Sequence, residues 1–72
     1  MTQKNIILTH LLHNKSITSY ESFDKYGILD LQSVIRLLRK DYIIADEWIH
    51  TTNRYGFKVK FKQYFLVGKK EN

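Results

Sequence analysis

The sequence predicts an α+β domain: three helices followed by a two-stranded antiparallel hairpin. Two observations carry this. The hydrophobic period is helical up to Tyr42 and alternating beyond it, and the helical part is punctuated by a capping segment at Thr18–Glu21 and a lone glycine at position 27. One domain spanning residues 1–72 is expected, near the lower size at which a chain folds without staples. There are no cysteines, so neither disulfides nor thiolate metal sites are available. Stability must come from five Tyr, four Phe, one Trp and the branched apolar residues.

The first helix is expected over about residues 4–14. At helical spacing Ile7, Leu8, Leu11 and Leu12 gather on one face, with Thr9, His10 and His13 opposite and Ile6 on the polar side. His10 and His13 stand three apart on this helix, but a zinc site would need the distant His50 and a carboxylate that no sequence pattern supplies, so solvated histidines and no metal or cofactor are expected. Ile17, after the polar link 14–16, should act as a hydrophobic staple or form a one-residue strand bridge.

The second helix, 18–26, opens on a capping box. The Thr18 hydroxyl and Glu21 carboxylate each satisfy a free backbone N–H. Tyr20, Phe23 and Tyr26 form a stripe that ends at Gly27, which suits the left-handed conformation after a helix. The third helix, 30–41, separates its residues sharply: Leu31, Val34, Ile35 and Leu38 on one side, Gln32, Ser33, Arg36, Arg39 and Lys40 on the other. Two helices joined through one glycine within about twenty-five residues form a helix-turn-helix.

The hairpin is expected over 43–52 and 57–67, with Asn53-Arg54-Tyr55-Gly56 as its turn and a frayed tail at 68–72. If Thr52 faces Phe57, then His50 faces Val59, Trp48 faces Phe61 and Glu47 faces Lys62. That register sends Trp48, Val59 and Phe61 to the inner face and Lys58, Lys60 and Lys62 to the outer one, with Tyr64 and Leu66 requiring a bulge.

Charge is distributed unevenly. The chain carries +5, yet residues 1–35 are balanced, while residues 36–72 hold nine basic and four acidic residues. An excess confined to the third helix and the hairpin suits a one-sided polyanion contact. Gln32, Ser33 and Arg36 are the residues expected to face bases; Arg39, Lys40, Arg54, Tyr55, Lys58 and Lys60 are expected on phosphates. No apolar run approaches the roughly 20 residues of a membrane span and no secretory signal pattern opens the chain, so a cytoplasmic protein is expected. There is no serine elbow, phosphate-cradling glycine loop or cysteine nucleophile, so no catalytic residue and no enzyme is expected.

From Ile6 to Leu66 the chain resembles the small winged helix-turn-helix proteins common in bacteriophages and prophages. The resemblance rests on SITSYESFDKYGI (16–28), a helix ending LLRKDY (37–42), and Trp48 followed by a basic hairpin. It implies binding to double-stranded DNA, as a homodimer or beside a partner protein, inside a bacterial host cell. Residues 30–40 would lie in the major groove, and the turn at Arg54 and Tyr55 would reach a neighbouring groove or the backbone. Transcriptional regulation or an accessory role in recombination or packaging is implied. Leu29, Asp30, Val34 and Leu37 depart from the polar character expected of a reading helix. Leu29, Asp30 and Leu37, together with Ile6, favour the alternative, a small phage inhibitor or adaptor that binds a host or viral protein, of anti-CRISPR or anti-restriction type.

Overall fold

A computed structural model describes residues 2–71. The elements in chain order are α1 (Gln3–Asn14), β1 (Ser16–Thr18), α2 (Ser19–Tyr26), α3 (Leu31–Leu38), β2 (Tyr42–Thr52) and β3 (Lys58–Lys69). The α+β class is the one the sequence predicts. The sheet, however, has three strands in the order β1-β3-β2, because Ile17 lies in a short strand with Ser16 and Thr18 that pairs antiparallel with β3.

Local chemistry sets the helix limits. Thr18 caps α2 through a full capping box: its hydroxyl accepts from the Glu21 amide at 3.0 Å while the Glu21 carboxylate accepts from the Thr18 amide at 3.2 Å. Gly27, at φ +68°, ends α2, and the Ile28 amide donates back to the Ser22 carbonyl. The Ser22 hydroxyl in turn donates to the Ile28 carbonyl at 2.7 Å, so a fully buried serine fixes the path between the two helices. Asp30 caps α3, accepting from the Ser33 amide and hydroxyl. Helix α3 ends at Leu38, short of the expected 41, where the chain passes through a tight turn into β2.

The core is built from Ile7 and Leu11 of α1, Ile17, Ile28, four residues of α3 (Leu31, Val34, Ile35, Leu38), and Ile44 and Tyr64 of the sheet. Two expectations for α1 are corrected here. His10 is buried, not solvated, because its Nδ1 lies 2.7 Å from the Tyr26 hydroxyl and so has a polar partner inside. Ile6 packs at the edge of the core, while Leu12 is exposed, so the buried arc of α1 is centred on Ile7, His10 and Leu11. The aromatic stripe of α2 faces solvent at Tyr20 and Phe23, and α2 buries Ser22.

The hairpin register is also corrected. Thr52 pairs with Lys58, His50 with Lys60, Trp48 with Lys62 and Glu47 with Gln63, one residue away from the expected alignment. The cause is the turn. The Asn53 amide donates to the Phe57 carbonyl, the Gly56 amide closes back on Asn53, and Gly56 sits at φ +85°. The loop proper is therefore Arg54-Tyr55-Gly56, a three-residue connection with glycine in the left-handed position.

Because side chains alternate with period 2, one residue of slip exchanges the faces of β3 relative to β2. Tyr64 and Leu66 reach the core side without a bulge, and the irregularity falls instead between Ile43 and Ile44. The expected frayed tail is corrected for residues 68–70: β3 continues through Lys69 and the Lys70 amide donates to the Asp41 carbonyl, while Asn72 lies outside the described residues.

Candidate nucleic-acid interface

The corrected register decides which side of the sheet is charged. Trp48 and Lys58, Lys60 and Lys62 share the face that, further along the same strands, buries Ile44 and Tyr64 against the helices. The lysine row therefore opens on the side where α3 lies, not on the outer face expected from the sequence. The outer face holds Val59, Phe61 and Phe65, with Glu47 among them.

Helix α3 turns Leu31, Val34, Ile35 and Leu38 inward and leaves Gln32, Ser33, Arg36 and Leu37 exposed, with Lys40 exposed in the turn after it. Ser33 is partly committed, since its hydroxyl donates to the Asp30 carboxylate at 2.6 Å. The Ser33 hydroxyl, then the Ser33 amide, and Arg36 nearby hold the Asp30 carboxyl below the ordinary aspartate range.

Arg39 has a different place from the one expected of it. The Leu66 amide points toward Lys15, so the paired Ile44 carbonyl opposite points away from β3, to the free edge of β2. The Arg39 guanidinium covers that edge, donating to the Ile44 carbonyl at 2.9 and 3.2 Å and to Asp46 at 2.8 Å. The hydrogen bond from Arg39, with Lys62 3.9 Å away, lowers the Asp46 carboxyl below its usual range. Arg39 ties α3 to the sheet rather than standing free.

Arg54 and Tyr55 sit exposed at the hairpin tip, where the Asn53 side chain accepts from the amides of Tyr55 and Phe57. Lys58 and Lys60 are exposed along the strand. Sequence reasoning kept Lys62 in the lysine row but placed Trp48 on the opposite face, and so missed Trp48 as a member of this surface. Trp48 is half-exposed, with the Lys60 and Lys62 ammonium groups 4.9 and 5.3 Å from its ring centroid. The signal that finds Trp48 is Gly56 at the third loop position, which sets the register.

The family model described as a winged helix-turn-helix domain matches residues 2–68. The chain belongs to the winged helix-turn-helix domain family. In this domain α2 and α3 are the two helices of the helix-turn-helix and β2–β3 is the wing. The family suggests DNA binding, and domains of this kind are typically non-enzymatic DNA-binding modules. A comparison with curated proteins gives no match. Among the described residues no helix is long and apolar enough to cross a membrane. Nor do three or more His, Cys, Asp or Glu side chains gather there as a metal site would require; His50 stands on the wing, away from His10 and His13.

Proposed function

We propose that this protein is a non-enzymatic double-stranded DNA-binding protein of a phage or mobile element, acting in the bacterial cytoplasm as a transcriptional regulator or recombination accessory factor. The observation supporting this most is that Gln32 at the start of α3 lines one cleft with Trp48, Lys60 and Lys62 of the wing. Gln32, Ser33 and Arg36 are assigned to base edges: Gln to adenine, Arg to guanine, and the Ser33 oxygen as an acceptor, its proton being committed to Asp30. Lys40, Arg54, Lys58 and Lys60 are assigned to phosphates, with Tyr55 beside them at the wing tip. Arg39 is assigned to holding β2. A surface this small gives tight, specific binding as a homodimer or beside a partner protein.

Four cationic phosphate contacts give a log–log salt slope of about −3.6. Fluorescence anisotropy of a labelled duplex across a salt series measures it. Wild type should follow that slope, and Arg36→Ala combined with Lys58→Ala should bind more weakly with a slope shallower by about one. No binding at low salt sinks the proposal.

A second reading has an observation of its own. Leu29 is 82% exposed and Leu37 46% exposed beside Arg36, apolar surface that a phosphate backbone does not use. A phage inhibitor or adaptor docking on a host protein would use it, and that reading takes over if duplex DNA fails to bind.

A further inference from the structure

Between the start of α3 and the wing lies an open cleft of about 380 Å³, lined among others by Leu29, Asp30, Gln32, Trp48, Lys60 and Lys62. Its two lips differ in chemistry. The wing lip offers the Trp48 indole with the Lys60 and Lys62 ammonium groups over its ring, 4.9 and 5.3 Å from the centroid. The helix lip offers a carboxylate and an amide. Asp30 spends one acceptor site on the Ser33 amide and one on its hydroxyl, which leaves acceptor sites for an incoming donor.

An anion alone does not suit this cleft, because Asp30 repels it. A purely apolar ligand does not suit it either, because the lysines and the carboxylate would lose water without partners. A nucleotide satisfies both lips at once: its phosphate draws the lysine ammonium groups off the indole, its base stacks on the Trp48 face they leave, and an exocyclic amino group donates to Asp30 or Gln32. Within a duplex the faces of a base are covered by its stacked neighbours, so the base that enters must be unpaired.

We propose that this cleft is a binding site for one unpaired nucleotide, seated between Trp48 and the Asp30–Gln32 lip with its phosphate on Lys60 and Lys62. The proposal rests on the DNA-binding reading and sharpens it: the protein favours DNA with a frayed or single-stranded end over blunt duplex. A base with an exocyclic amino group is preferred over thymine, which lacks one.

Trp48 is the one tryptophan of the chain, so its intrinsic fluorescence reports the cleft directly. The test compares a blunt duplex, the same duplex with a short deoxyadenosine or thymidine extension, and free deoxyadenosine monophosphate. Anisotropy reads overall binding and Trp48 emission reads the cleft. The deoxyadenosine extension should quench Trp48 and tighten binding about tenfold over the blunt duplex, with the thymidine extension giving less. Trp48→Ala should abolish the difference in affinity between extended and blunt duplex, and Trp48→Phe should restore much of that difference. Quenching by the mononucleotide alone supports a site that also takes free nucleotide. Equal affinity for blunt and extended duplex, with Trp48 emission unchanged by the extension, overturns the proposal while leaving duplex binding standing. Failure of the blunt duplex alone to bind overturns the broader reading, and the extended strand then still decides the cleft.

Discussion

Arg39 shows how one side chain changes meaning between sequence and fold. On the helical wheel it stands with Gln32 and Arg36, yet its guanidinium reaches the Ile44 carbonyl and Asp46 and covers the open edge of β2. A planar fork makes these bonds together, which a lysine cannot, so Arg39→Lys should not substitute for it. Asp46 links this clamp to pH. Its carboxyl is held low in the fold, so its contribution to stability is complete above the ordinary aspartate value, near about 3.9, and is lost as pH falls through the lower folded value. Thermal melts from neutral pH down into that range should show wild type losing more stability than Asp46→Asn. Parallel losses in the two proteins would mean that the Arg39–Asp46 contact adds nothing.

At the scale of elements the decisive feature is the turn at the tip of the wing. Gly56 has a left-handed backbone, and a Cβ placed there meets no atom within 4 Å, so substitution acts through the backbone alone. Gly56→Ala should destabilise the protein by about 1 kcal/mol in denaturant unfolding. Gly68→Ala, where space is equally open and φ is not left-handed, should leave stability nearly unchanged. Equal losses at the two positions would contradict a three-residue loop.

The start and stop of α2 were legible in the sequence because a capping box and a glycine stop are chemistry between residues a few positions apart. The sharp separation of apolar and polar residues on α3 was legible for the same reason. Register was not, since a four-residue and a three-residue loop through Asn53-Arg54-Tyr55-Gly56 differ by one position and reverse every facing pair. The burial of His10 was hidden too, because its partner Tyr26 comes from another helix.

At the scale of the whole molecule, the register gathers charge on one side. With the lysines of β3 on the helix side, Lys60, Lys62 and Trp48 line one cleft with Gln32 of α3, and Val59, Phe61 and Phe65 stand on the other face of the sheet. The sequence located the excess charge in residues 36–72 but not the side on which it falls, which depends on pairing. The family match places this architecture among winged helix-turn-helix domains, and the lysine row on the side of α3 is what the DNA-binding proposal rests on.

The measurement that tests that proposal most directly is a map of backbone amide chemical shifts, by NMR, on titration with a short duplex at low salt. Shifts should concentrate at Gln32, Ser33, Arg36 and Lys40, at Arg54 and Tyr55, and at Lys58 and Lys60, with Val59, Phe61 and Phe65 changing only through their neighbours. Shifts centred on the outer sheet face or on Tyr20 and Phe23 of α2, with α3 silent, would contradict it.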